Sequence, residues 1–125
     1  MLNGILIIRK EQNFTSNDVV AKLRGICRQK KIGHTGTLDP NATGVLPVCL
    51  GNATRLCDML TDRSKEYIAE FTLGLTTDTQ DIWGQVLREA DPEDLDCEQV
   101  EEAIMGFVGA YAQIPPMYSA LKVNG

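Results

Sequence analysis

Histidine is nearly missing from this 125-residue chain, which has one, His34, alongside one tryptophan and three each of phenylalanine and tyrosine. A lone histidine argues against a zinc site, because the four cysteines (Cys27, Cys49, Cys57, Cys97) form no C-x-x-C pair and tetrahedral zinc needs four such donors. Four free, mostly buried thiols in a cytoplasmic protein is the simplest reading of the cysteines. No Ser-His-Asp set is in evidence, so small-molecule hydrolysis by that route is a weak reading. Long apolar runs are also missing: nothing approaches the ~18 residues of a membrane span. The apolar start Ile5-Leu6-Ile7-Ile8 is too short for a signal peptide and has no basic flank before it. Repeats and low-complexity tracts are absent as well. What remains, with 43% apolar residues, suits one modest globular core.

Charge is divided unevenly along the chain. Residues 1–65 carry ten Lys/Arg and five Asp/Glu, whereas residues 66–125 carry two and twelve. The overall charge of −5 thus conceals a basic first half able to face a polyanion. Within it Lys22, Arg24, Arg28, Lys30 and Lys31 form a basic run. Such a run is a footprint for phosphates or, equally, a solvated helix face.

The pattern of elements is mixed. Ile5 to Arg9 is apolar and β-branched, a first strand. Thr15-Ser16-Asn17 is placed to cap a helix whose Val19, Val20, Leu23, Ile26 and Cys27 recur at helical spacing. Val45 to Leu50 reads as a short buried strand, with Pro47 suggesting an edge or a bulge. Asn52 to Leu60 reads as a helix with Leu56, Met59 and Leu60 inward. Lys65 to Gly74 alternates most cleanly of all, Tyr67, Ala69, Phe71 and Leu73 sharing one face, and so predicts a strand. A polar turn over Thr76 to Asp81 leads to a partner strand over Ile82 to Leu87, interrupted by Gly84. Asp96 and Gln99 form a capping box for a helix with Val100, Ala103, Ile104 and Phe107 on one stripe, closed by Gly109. Eight acidic residues between Glu89 and Glu102 surround its start, where the helix dipole favours some of them. The expected fold class is α+β, a mixed, largely antiparallel sheet with flanking helices.

The most informative segment runs from Gly33 to Pro47: Gly33-His34-Thr35-Gly36-Thr37-Leu38-Asp39-Pro40-Asn41-Ala42-Thr43-Gly44-Val45-Leu46-Pro47. Glycines permit tight backbone paths, and Pro40 drives Asp39 into an extended conformation, so the loop fixes one carboxylate. On its own, Asp39-Pro40 would be an ordinary turn. The whole string resembles the signature of the TruB family of tRNA pseudouridine synthases. The resemblance extends over nearly the whole chain. It takes in Gly4 and the first strand, Thr15-Ser16, Lys31-Ile32-Gly33, Gly51-Asn52-Ala53-Thr54, Lys65-Glu66-Tyr67 and the block from Gly74 to Gly84. It ends with Gln113-Ile114-Pro115-Pro116-Met117-Tyr118-Ser119-Ala120-Leu121-Lys122. One departure is Arg9-Lys10 followed by Glu11-Gln12 where the family usually has Lys-Pro, a change expected to touch no catalytic position.

The resemblance implies a pseudouridine synthase catalytic-domain fold and isomerisation of the T-loop uridine of tRNA. It makes Asp39 the catalytic nucleophile. Tyr67 is implied as the ring that stacks on a flipped base, a safer role than base, since an unperturbed tyrosine has a pKa of ~10. His34 is implied as an RNA contact, stacking in the space that base leaves or bonding near the target nucleotide. Asp81 resembles an acidic residue that pairs with an active-site arginine, which does not lie within these 125 residues. Lys122 is implied as a phosphate contact or pocket brace, or is simply a strand-edge lysine. Asp78-Thr79-Gln80-Asp81 has some features of a calcium loop, but with the wrong glycine and glutamate spacing. No cofactor and no metal are expected. The implied partner is the T-arm stem-loop of tRNA, bound by a cytoplasmic, monomeric enzyme with no membrane contact.

At the end, Ser119 to Val123 reads as a strand running into Asn124-Gly125, a hairpin signal with no returning strand. Residues 1–125 are therefore expected to be the N-terminal portion of a longer catalytic domain, and any C-terminal RNA-binding domain is expected to lie beyond them. The competing reading is a non-catalytic RNA-binding or folding fragment of the same scaffold.

Overall fold

The computed structural model describes residues 1–116, which fall into two compact units divided between Tyr67 and Ile68. The predicted strand over 119–123, its hairpin signal and Lys122 lie outside the described residues.

The first unit is a three-stranded antiparallel sheet with one helix laid on it. Strand β1 (Gly4–Lys10) is followed by helix α1 (Ser16–Cys27), strand β2 (Ile32–His34) and strand β3 (Gly44–Leu50), and the sheet order is β1-β3-β2. β1 pairs with β3 along its full length, from Gly4 opposite Leu50 to Lys10 opposite Gly44, while β2 pairs Ile32 to Leu50 and His34 to Val48. The antiparallel α+β fold class read from the sequence is therefore what the chain adopts.

Helix α1 begins where the sequence placed it. The Thr15 hydroxyl accepts from the Asp18 N–H at 3.0 Å, and the Asp18 carboxylate accepts from the Thr15 N–H at 2.8 Å. This reciprocal box satisfies donors that the first helical turn leaves free. The helix ends at Arg28, whose left-handed backbone (φ 48°) turns the chain back toward β2. Val19, Val20 and Leu23 are buried against Ile32, Leu46, Val48 and Leu50, with Ile8, Phe14, Cys27 and Leu38 packed around them. Ile26, predicted inward, is instead exposed. It lies at the margin of the apolar stripe in the last turn, where Cys27 takes the inward place.

Pro47 sits in the central strand, not at an edge as predicted. Within one strand residue N–H and C=O point to the same side. The Pro47 carbonyl accepts from the Thr35 N–H at 3.1 Å, so its missing donor faces the β2 side just beyond the end of that short strand. The β1 ladder loses nothing. After β3, the predicted helix over 52–60 is split into a 3-10 segment (Gly51–Leu56) and a short helix α2 (Cys57–Thr61). Leu56 and Met59 are exposed, against expectation, since so short a helix offers little buried face.

The alternating segment 65–74 does not form a strand. Ser64 to Thr72 has no regular structure, and Tyr67, Ile68, Phe71 and Leu73 are exposed. Alternation describes how a strand would sit once paired, and among the described residues no ladder forms with this segment. In the second unit the hairpin is shorter and later than predicted: β4 (Leu75–Thr77) pairs antiparallel with β5 (Val86–Glu89). Gly84 lies in the turn, where a side chain would collide with Thr79 Oγ1 and Asp78 Oδ1. Helix α3 (Cys97–Met105) has the predicted Asp96/Gln99 capping box but stops at Gly106 rather than Gly109. Its stripe is left uncovered, with Ile104 and Phe107 exposed, and no described residue of the second unit is buried. No helix among the described residues is long and apolar enough to cross a membrane.

Candidate active site

The loop between β2 and β3, residues 35–43, carries Asp39, and its backbone is tied down at three points and braced by a turn of its own. Thr35, buried, donates from its N–H and its hydroxyl to the Pro47 carbonyl at 3.1 and 3.3 Å. The Leu38 N–H donates to the buried Ser16 hydroxyl at the start of α1, at 3.0 Å. The Pro40 carbonyl accepts from the Asn13 N–H at 2.8 Å, and the Asp39 carbonyl accepts from the Ala42 N–H at 3.0 Å. The Leu38 side chain packs against the core beside Asp39. Asp39 itself is exposed. A carboxylate open to solvent on an immobilised backbone is suited to attack or to accept a proton from a docked substrate, because little orientational freedom remains to be lost.

Sequence reasoning missed a further residue bonded to this loop. Lys10, at the end of β1, is fully buried, and its ammonium donates to the carbonyls of Phe14 (2.6 Å), Glu11 (3.0 Å) and Pro40 (3.2 Å). The Arg9-Lys10 position, expected to touch no catalytic position, is thus bonded to the residue next to Asp39. Alternation held the signal: Lys10 lies two residues beyond Ile8 and so shares its inward face. Ser16, in the sequence one of three residues placed to cap α1, holds the loop instead, and Thr15 makes the cap.

The other predicted residues fall in both units. His34 ends β2, half-buried, within the same unit as Asp39; its Nδ1 is buried and has no hydrogen-bond partner among the described residues. Tyr67 is the last residue of the first unit, exposed and outside any regular element. Asp81 belongs to the second unit, where Oδ1 accepts from the Thr79 hydroxyl at 2.7 Å and the Trp83 N–H at 2.9 Å. These bonds, the Thr79 hydroxyl foremost, hold its carboxyl below the usual carboxylate range. In the described structure Asp81 thus braces its own turn.

The cysteines are less buried than predicted: only Cys49 is buried, Cys27 and Cys57 are half-buried and Cys97 is exposed. Burial, followed by a hydrogen bond with Cys57, pushes the Cys49 thiol up to about 11, so it is a protonated core residue at neutral pH. Among the described residues no cluster of His, Cys, Asp and Glu is arranged to hold a metal ion.

Residues 24–125 match the family model described as TruB family pseudouridylate synthase (N terminal domain). The tRNA pseudouridine synthase B of Alkaliphilus oremlandii is 51% identical over 124 residues, 99% of this chain and 41% of that protein. That of Clostridium tetani is 52% identical over 99% of this chain and 43% of its own length, and that of Bacillus pumilus 47% identical over 100% and 41%. The chain spans about two fifths of the length of these curated relatives. Among solved structures, a chain of a Cbf5-Nop10-Gar1 complex matches 95% of this one at a TM-score of 0.63 and 28% identity, over 31% of its own length.

Proposed function

The chain belongs to the TruB family of pseudouridylate synthases, and on that premise we propose that it is the N-terminal portion of the catalytic domain of a tRNA pseudouridine synthase. The whole enzyme isomerises the T-loop uridine of tRNA, acting as a monomer in the cytoplasm. The observation that carries the reading is Asp39, an exposed carboxylate on a loop whose backbone is bonded to β3, to α1, to the segment before α1 and to the Lys10 ammonium.

The reaction breaks the bond from ribose to N1, turns the uracil without releasing it, and forms a carbon–carbon bond through C5. A single carboxylate serves as the nucleophile or base for this with no redox cofactor and no metal. Asp39 is the nucleophile in our assignment. The target base lies inside a folded RNA loop and must be flipped out to be reached. Tyr67, its ring exposed, stacks on that base, and His34 fills the space left behind in the RNA. Asp81 pairs with an arginine contributed by a later part of the domain, exchanging its present turn-bracing bonds for that ion pair. Lys122 contacts the RNA backbone.

The test is pseudouridine formation in a T-arm stem-loop transcript by the complete enzyme. The wild type converts the T-loop uridine, whereas Asp39→Asn, which keeps the shape and loses the charge, retains RNA affinity and drops at least ~100-fold in turnover. Turnover by Asp39→Asn above about a hundredth of wild type contradicts the nucleophile assignment. Stoichiometric RNA binding with no conversion by the wild type would favour the non-catalytic RNA-binding reading.

A further inference from the structure

Beside the site described above, a cleft of about 510 Å³ opens along β2. Among the described residues β2 is an edge strand, bonded to β3 on one side only. The cleft lies between that edge, the polar side of α1 and the 3-10 segment after β3, and its walls include Arg24, Lys30, Lys31, His34, Asn17 and Thr54. Three cations line it and, among the described residues, no carboxylate does. This is a local reversal in a chain whose net charge is −5.

The backbone brings these charges together. The left-handed turn at Arg28 ends α1 and folds the chain back, with the Gln29 N–H donating to the Arg24 carbonyl at 3.3 Å, so that Lys30 and Lys31 return beside Arg24. Two of the cations are held by neutral groups: Arg24 Nη2 donates to the Ile32 carbonyl at 3.2 Å, and Lys31 Nζ to Asn52 Oδ1 at 3.5 Å. Their charge stays available to an anion. The basic run of the sequence is also sorted. Arg24, Lys30 and Lys31 line the cleft, whereas Lys22 lies 5.3 Å from the centre of the Phe14 ring, and neither it nor Arg28 is a wall residue. A second observation is His34, a wall residue whose buried Nδ1 has no hydrogen-bond partner among the described residues. Buried polar atoms are rarely left so. An added protein strand would satisfy the β2 edge but would leave three cations facing it unmatched.

We propose that this cleft seats backbone phosphates of the substrate RNA, fixing the stem while Asp39, which is not among its wall residues, meets the target nucleotide. The inference rests on the reading of the chain as part of an RNA-modifying enzyme. Arg24 presents a planar fork, held by its bond to Ile32, and the two lysines add point charges. Contacts of this kind position the RNA and carry no base information. Their loss weakens binding and salt dependence, and leaves the bound complex to react at its normal rate.

The experiment measures affinity of the complete enzyme for a T-arm stem-loop transcript across a salt series, together with single-turnover rates at saturating enzyme. Both lysines are exposed, so the double variant Lys30→Gln/Lys31→Gln keeps the fold. It is expected to bind about tenfold more weakly, with the slope of log affinity against log salt shallower by about 1.5 and the single-turnover rate unchanged. Lys22→Gln removes one charge from α1, outside the cleft, and is expected to shift the slope far less. An unchanged slope in the double variant, or an equal fall per charge for Lys22→Gln, would overturn the cleft as the phosphate seat. Wild-type enzyme that fails to bind the transcript at all overturns the enzyme reading and this inference with it. RNA bound normally with only the slope unaltered overturns the inference alone.

Discussion

The two compact units have similar raw material and different outcomes. Met1–Tyr67 closes a core in which Leu46 and Val48 are 1% and 0% exposed, whereas in the second unit the described residues include Ile82, Trp83, Ile104 and Phe107 at 48% exposure or more. Both contain a helix with a complete capping box and an antiparallel β pairing. Local signals of equal quality therefore do not decide whether a unit gains a core. What differs is coverage: α1 lays Val19, Val20 and Leu23 across β3 and β2, while the α3 stripe has no such covering among the described residues. The loop bearing Asp39 draws its rigidity from the covered unit.

The largest effect expected on this contrast comes from Lys10. Lys10→Met keeps the chain length and removes the donor shared by three carbonyls, so the first unit should lose about 3 kcal/mol in urea unfolding, and turnover of the complete enzyme should fall as Pro40 is freed. Unchanged stability would mean that the loop is not held from beneath. Next comes Tyr67, at the boundary between the units. Tyr67→Phe should keep RNA affinity, and Tyr67→Leu should lose about 1–3 kcal/mol of binding; equal affinities for the two variants would remove the stacking role. A smaller effect separates the two caps. Thr15→Ala should cost the first unit about 1 kcal/mol. Asp96→Ala, its counterpart on α3, should leave the unfolding midpoint of the first unit where it was, and a matching loss would show that the units share one cooperative core.

The smallest effect is in pH. The Thr15 hydroxyl, then the Thr15 N–H, holds the exposed Asp18 carboxyl below its ordinary value. A carboxylate depressed by folding contributes stability that is present above its unfolded pKa and disappears as pH falls through the folded one. The α1 capping box should therefore hold at neutral pH and weaken in the acid range below the usual carboxylate pKa, and NMR titration of Asp18 with a midpoint below the model-peptide value checks it.

Legibility in the sequence followed the range of the signal. The Asp96/Gln99 capping box, a cap at Thr15-Ser16-Asn17, β1 and the buried half of α1 were readable, because three- and four-residue spacings and apolar runs are local facts; the reciprocal Asp18 bond of the first cap was not. The Lys65 to Gly74 alternation was the clearest pattern in the chain and the least realised, since a strand needs a partner that its own residues do not encode. Pro47 was misplaced for a related reason: whether a central strand tolerates proline depends on where the neighbouring β2 stops. Asp39 stood out through its signature. Lys10, which positions it, did not, because a lysine ending a strand ordinarily faces water, and only the fold brings Phe14 and Pro40 around it. The basic run was visible as charge, but its division between the cleft and the Phe14 ring needed the turn at Arg28.

The most direct measurement of the contrast is backbone amide hydrogen exchange on this chain, read residue by residue. Slow exchange is expected in β1, β3 and the core-facing turns of α1, with protection of the Thr35 and Leu38 amides whose bonds anchor the Asp39 loop, and exchange close to unprotected rates across residues 68–116. Equal protection in the two units, or fast exchange at Thr35 and Leu38 while the β1–β3 ladder stays protected, would contradict it.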